Sequence, residues 1–543
     1  MNTHIRLHPI NDFILIVAIT SHYVDDDFVL HEDLLDFQEV NVAHSGANLA
    51  DHVFEVLLNY NIQTRLYCIT TDNASNNGTM VRALAARLAE KGIEWDPERN
   101  HIACLTHVIN LAVKEFLKTL KIQARTPEDE WEVLEFHARQ ASSTDPQQKY
   151  KIKGNNPFDR AIQKIRKISS LINYPPSHLS DFRKMCELQQ CKFLRAVRDV
   201  DTRWNSTHAM LARALLLREA INGWTRMKSD YVNLILSNEE WRYVEFLVHF
   251  LAPFYRTTIM LQATGIPTLQ QTFETYESLF NALDNVRGLF QEMIPRPDWL
   301  TDVEVGIGQM WDKLRFYYSK DKPLAYVDAI LLHPAEKNRW FRRREWNTDL
   351  VESYRKSLKD RLDQDHGDVL RNLRKRDYTA MLSEESDSGS DSDSDPNRSE
   401  FDIYMGYKRQ RVENPLEFWK QYQGIFPNLS RLARDTYAVP ATGAGVEREF
   451  SISGNLVDNR RNRLKPKTIA DLMQYKRWVT RTGALAKFLK DNEAERLTET
   501  AKEDDGDNED QEEELNQDLI DWLEKLEKEY QVEERIKGLR VIA

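Results

Sequence analysis

Seven consecutive apolar residues, Phe13 to Ile19 (FILIVAI), constrain this fold most. A run of that length suits a strand, and having no polar side it must be buried. Residues 22–30 (HYVDDDFVL) then set a turn at Asp25–Asp27 between strand-like ends, as in a hairpin, and residues 34–40 read as a third strand. Leu49, Val53, Val56 and Leu57 recur at helical spacing up to Tyr60, behind a cap-like Ser45-Gly46. Leu66–Thr70 (LYCIT) reads as a strand ending at Thr71-Asp72-Asn73, Met80–Ala89 as a helix, His101–Cys104 as a strand and Val108–Leu117 as a helix. Strands and helices in this order predict a mixed sheet with helices on its faces.

From about 115 to 415 the period changes. Met210–Ile221, Trp241–Phe254, Tyr276–Leu289 and Val305–Tyr318 all carry apolar residues at helical spacing, which predicts a large α-helical domain. An acidic Ser/Asp linker interrupts it at 383–400. Compact helical segments follow from Pro415 to about Leu489, then an acidic tail and an amphipathic stretch from Leu515 to Leu539. The expected divisions are 1–114, 115–414, 415–485 and 486–543, in keeping with 543 residues being too many for one ordinary core.

The net charge of −12 argues against a nucleic-acid partner only until its distribution is read. Residues 383–400 carry net −6 and residues 503–514 net −9, so the rest of the chain is net +3. DNA therefore stays open as a partner. No stretch of about 18 apolar residues occurs, so no membrane partner is expected. The early apolar run follows His4, Arg6 and His8 without a small-residue cleavage site, which argues against a signal peptide. Four cysteines, Cys68, Cys104, Cys186 and Cys191, make no disulfide framework and fit a reducing compartment.

Several residues could carry chemistry. Asp72 follows an apolar strand, where a carboxylate can face a cleft and hold Mg²⁺ through hard oxygen ligands; the same string, TTDNASNN, equally suits a helix cap. Cys104-Leu-Thr-His107 offers two ligands, but no second pair lies nearby, so no structural zinc is expected. Arg203-Trp204 sets a guanidinium beside an indole, able to neutralise phosphate and stack on an extruded base, or else a core Trp beside a surface Arg. Glu447 follows a small-residue loop at a helix start, where a carboxylate is electrostatically favoured. Arg460-Arg461-Asn462-Arg463-Leu464-Lys465-Pro466-Lys467 is a basic strip suited to phosphate.

In order, His44-Ser45-Gly46-x-Asn48, TTDNASNN, Cys104-x-x-His107, TRWNS at 202–206, PLEFW at 415–419, VPAT…ERxFS…G at 439–454 and RRNRL at 460–464 resemble the hAT transposase superfamily from about Pro9 to Trp478. The resemblance implies an α/β plus α fold: an RNase H-like mixed sheet interrupted by a large all-α insertion domain, its first part at 1–114 and its second, with the dimerisation region, at 415–485. It implies a nuclear protein that cleaves and transfers DNA strands through three carboxylates and Mg²⁺ or Mn²⁺. Asp72 and Glu447 match the second and third, Cys104 and His107 the Cys-x-x-His near the site, and Trp204, with Arg203 beside it, the aromatic for a flipped base. DNA and a second copy of the chain are the implied partners, as a homodimer or higher homo-oligomer.

Three departures qualify the resemblance. The family's first-strand Asp-x-Trp-Thr-Ser-Pro is replaced by His4-x-Arg6-x-x-Pro9, if Pro9 is the family's Pro, so the first carboxylate is missing. No Cys-x-x-Cys with a downstream His pair precedes the core, so the chain reads as N-terminally truncated, without the BED-type finger. Val446-Glu447 stands where Ser-Glu is usual. The expectation is a transposase-derived protein that binds DNA and dimerises with impaired cutting. A domesticated, non-enzymatic regulator and an active enzyme using Asp12 are the alternatives.

Overall fold

A computed structural model describes residues 2–11, 14–39, 45–74, 76–122, 156–199, 204–291, 296–297, 299–320, 324–370, 399–456, 468–469, 471–473 and 475. Five strands form one mixed sheet: β1 (Asn2–Asn11), β2 (Ile14–Val24), β3 (Leu30–Glu39), β4 (Ile69–Thr71) and β5 (His101–Ala103). Their spatial order is β3-β2-β1-β4-β5. β1, β2 and β3 pair antiparallel, and β4 pairs parallel with β1 and β5, so that His4 lies opposite Thr70 and Ile5 opposite Thr71.

The apolar run at 13–19 is explained by the two sides of β2. Val17 and Ile19 pack under α1 (Gly46–Asn59) and α2 (Asn77–Glu90), against Leu49, Val53, Met80 and Leu84. Ile16 and Ala18 face the opposite layer, against Val446, Phe450, Ile469 and Met473. A strand covered on both faces has no polar side to show. The turn expected at Asp25–Asp27 joins β2 to β3: Asp25 Oδ1 accepts the N–H groups of Asp27 and Val29, both at 2.9 Å.

Three strand expectations change, the first being that the strand expected at Leu66–Thr70 spans only Ile69–Thr71. Residues 2–11 form a full strand that hydrophobicity did not reveal, because polar residues dominate it and Pro9 weakens the reading. The strand ends near 28–30 and at 34–40 are one continuous β3. Beyond β5 runs α3 (Leu105–Thr119), as expected.

The chain divides into two compact units. Among the described residues, one comprises those up to 107, 261–275 and those from 318 to 475, the other those at 108–260 and 276–317. Set beside the helical domain expected at 115–414, residues 261–275 and the described residues from 318 to 414 group with the sheet. The cause is a second apolar core in that unit, where Ala325–Leu332, Trp340, Phe341, Tyr404, Trp419, Phe426 and Tyr437 pack beside Val24, Phe28 and Ile102.

Among the described residues six helices supply most of that core, joined by Leu269 and Phe273. The helices are Leu324–Leu331, Asn338–Arg343, Thr348–Leu370, Glu400–Gly406, Pro415–Tyr422 and Pro427–Tyr437. The linker expected to run to residue 400 ends earlier. Ser399 caps the helix Glu400–Gly406 in a capping box with Asp402, and the buried Glu400 carboxylate accepts the N–H groups of Asn428 (3.3 Å) and Leu429 (2.6 Å) at the start of Pro427–Tyr437. The remainder of the linker, the tail and the stretch 515–539 lie outside the described residues.

The helical unit has an aromatic centre of its own. Phe158 packs against Tyr243, Phe246 and Trp299, and Phe246 stacks on Phe250 with ring centroids 5.7 Å apart.

Candidate functional site

The site begins where β4 ends. Asp72 Oδ1 accepts from Asn77 Nδ2 at 2.7 Å and from the Ala74 N–H at 3.2 Å, and Asn77 Nδ2 also donates to the Asp72 carbonyl. The N-cap of α2 is Asn76, so Asp72 does not cap that helix but folds the loop leading to it.

The loop Pro440–Gly443 crosses the ends of β4 and β5 on three hydrogen bonds. Thr70 Oγ1 donates to the Pro440 carbonyl at 3.1 Å, the Leu105 N–H to the Ala441 carbonyl at 2.9 Å, and the Gly443 N–H to Cys104 Sγ at 3.1 Å. Helix Ala444–Leu456 starts directly afterwards and carries Glu447 in its first turn, its N–H bonded to the Gly443 carbonyl. The helix start favours a carboxylate.

Asp72, Cys104 and Glu447 are thus brought to one end of the sheet. Burial pushes the Cys104 thiol up, and the Glu447 carboxylate adds to the shift by opposing a second negative charge. A protonated, buried thiol paired with Thr106 Oγ1 at 3.2 Å is a packing group rather than a nucleophile. His107 lies in the first turn of α3, partly buried.

Three residues beside Glu447 were not evident from the sequence. Gln262 Nε2 donates to Glu447 Oε2 at 3.5 Å, Arg448 Nη1 donates to the Gln262 carbonyl at 3.3 Å, and Arg448 Nη2 pairs with Glu32 at 2.6 Å. A cleft of about 350 Å³ opens on that side of the helix, lined by His22, Glu32, Gly265, Thr442, Arg448 and Glu449. Asp72 does not line it.

In kind, the Asp72 and Glu447 carboxylates suit Mg²⁺ or Mn²⁺. β1, the strand beside β4, contains no Asp or Glu from Asn2 to Asn11, and among the described residues no group of three or more His, Cys, Asp or Glu side chains is placed to hold an ion. Like charges on two elements hold two cations poorly without a third bridging ligand.

Of the two roles the sequence left open for Trp204, the ring's placement is that of a core residue. Trp204 is 4% exposed at the start of its helix (Trp204–Leu216), edge-on to His208 and Tyr255, so its ring belongs to the core of the helical unit. Arg203, Arg460, Arg461, Arg463 and Lys465 lie outside the described residues. Among the described residues no helix is long and apolar enough to cross a membrane.

Three family models match the chain in succession: the ZBED1 RNase-like domain at 12–95, the ZBED1 RNase-like helical domain at 102–250 and the hAT family C-terminal dimerisation region at 400–479. The last match starts with the Ser399-capped helix rather than at the expected 415. Among similar proteins, tpeD of Talaromyces stipitatus, named as a transcriptional regulator, is 28% identical over 473 residues, covering 84% of this chain and 51% of tpeD. An AC transposase of Zea mays is 23% identical over 512 residues, 86% of this chain and 55% of that protein. The zinc finger BED domain-containing protein RICESLEEPER 3 of Oryza sativa is 21% identical over 509 residues, 88% and 60%. The chain spans about half the length of the curated relatives it matches. With its RNase-like domain, its helical domain and its dimerisation region all of one lineage, the chain belongs to the hAT transposase superfamily.

Proposed function

We propose that the chain is a transposase-derived nuclear protein that binds DNA, self-associates through residues 400–479 and does not cut DNA unaided. One observation carries the last part: the strand beside β4 offers no carboxylate to complete the pair formed by Asp72 and Glu447. Self-association is supported by the match to a dimerisation region, and DNA binding by similarity to transposases and BED-type proteins. We read the helical unit as an insertion in the RNase-like domain, and Arg203 with the strip Arg460, Arg461, Arg463 and Lys465 as phosphate contacts, with no structural zinc in this chain.

The test is a nicking assay on supercoiled plasmid with the full chain and Mg²⁺ or Mn²⁺. No nicking is expected; metal-dependent nicking lost in both Asp72→Asn and Glu447→Gln would overturn the proposal. A second reading, a regulator that keeps the scaffold for DNA occupancy, is favoured by the similarity to tpeD. Terminal inverted repeats flanking the gene would count against it.

A further inference from the structure

Two basic stretches far apart in sequence meet on the surface of the sheet-containing unit. The first is the short helix Asn338–Arg343, sequence NRWFRR, which presents Arg339, Arg342 and Arg343 to solvent. The second is the segment after the helix Glu400–Gly406, where Lys408, Arg409 and Arg411 are exposed. The Gln410 N–H donates to the Pro334 carbonyl at 3.3 Å. Lys337, 3% exposed, reaches from one stretch to the other, its Nζ donating to the carbonyls of Tyr404 (2.5 Å) and Tyr407 (2.7 Å) and lying 4.2 Å from the Tyr404 ring centroid.

Lys337 holds this join in a backbone conformation with φ 46°, which L residues rarely adopt. Gln410 Nε2 fixes the second stretch from the other side, donating to Tyr422 Oη at 2.7 Å. Arg409 stands near enough to help depress the Lys337 ammonium, whose burial is the larger cause. Six exposed cations are therefore gathered on a rigid base. Among the described residues none of the six forms an ion pair, although the chain as a whole is net −12. Cations gathered on one surface repel one another, and a polyanion relieves that repulsion.

We propose that Arg339, Arg342, Arg343, Lys408, Arg409 and Arg411 form a binding surface for the phosphate backbone of duplex DNA, additional to the strip at 460–467. The surface rests on the reading that the chain binds DNA. With no planar slot or exposed ring among these six, its contribution is to affinity and register rather than to base readout.

The test is the salt dependence of binding by the full chain to a mixed-sequence 30-bp duplex, measured by fluorescence anisotropy. Two variants are compared with the wild type: Arg339→Gln/Arg342→Gln/Arg343→Gln and Lys408→Gln/Arg409→Gln/Arg411→Gln. Each lost phosphate contact flattens the slope of log affinity against log salt by about 0.9, so each triple variant is expected to flatten it by about 2 to 3. Wild-type slopes in both variants, with the wild type binding, overturn the surface and leave DNA binding intact. No binding by the wild type overturns both readings. Loss of binding with an unchanged slope, or a lowered melting temperature in both variants, would mark the six as structural and also overturns the surface.

Discussion

Gly445 leaves the space that the Glu32 carboxylate occupies: a Cβ on Gly445 would stand 2.1 Å from Glu32 Oε1. Glu32 is thereby held against the first turn of the helix that carries Glu447, and its other oxygen pairs with Arg448. Gly445→Ala must swing the Glu32 carboxylate, the far end of a flexible side chain, away from Arg448, and is expected to destabilise the chain by no more than about 1 kcal/mol. In a Glu32→Ala background the same change is expected to be neutral or stabilising by up to about 1 kcal/mol, as Ala replaces Gly in a helix. Urea unfolding of the four proteins checks this; equal costs in both backgrounds would refute the fit.

Asp72 has a structural duty separable from metal binding. Asp72→Asn keeps Oδ1 as an acceptor for Ala74 and Asn77, so it is expected to melt within about 0.5 kcal/mol of the wild type. Asp72→Ala loses both bonds and is expected to cost about 1–2 kcal/mol. If both variants lose the same stability, the carboxylate charge rather than its hydrogen bonds holds the loop.

Trp204 should behave as a core residue. Its replacement by Ala removes a buried indole that lies edge-on to the stacked His208 and Tyr255 rings and is expected to cost about 3–5 kcal/mol. A stacking platform open to solvent would cost little. Chemical denaturation followed by the loss of tryptophan fluorescence decides between them.

Two buried groups are expected to contribute least to stability near neutral pH. Burial raises Glu400 from its ordinary 4.5 to about 7, against the lowering effect of the Leu429 and Asn428 N–H groups. The folded protein therefore binds this proton more tightly than the unfolded chain, and the resulting stability, full below about pH 4.5, is lost as pH rises to about 7. Lys337 is lowered from 10.5 to about 7 by burial, so its penalty is full below about pH 7 and is relieved as pH rises toward 10.5. Each limb is worth on the order of 3–5 kcal/mol. Melting curves from pH 4.5 to 10 should show the trough. Glu400→Gln should flatten its acid limb alone and Lys337→Met its alkaline limb alone; an unchanged profile in either variant refutes that assignment.

The features legible in sequence were those written in local pattern. FILIVAI announced a strand buried on both faces, Asp25–Asp27 a hairpin turn, and the spacing of Leu49, Val53 and Val56 a helix, because burial on a regular element imposes its period on neighbouring residues. The ordered motifs around Asp72, Cys104 and Glu447 likewise carried the family, and the absence of an acid from the first strand was plain in the letters. Only the tertiary structure decided what stands beside them. Glu32 meets Arg448 across 416 residues, and the loop at 440–443 docks largely through backbone carbonyls and N–H groups, which every residue type but proline possesses in common. Trp204 reads the same in sequence whether it lies in a core or on a surface, and the six cations are unremarkable in two separate stretches until Lys337 joins them. Local period is a property of the chain, whereas partnership across the chain is a property of packing.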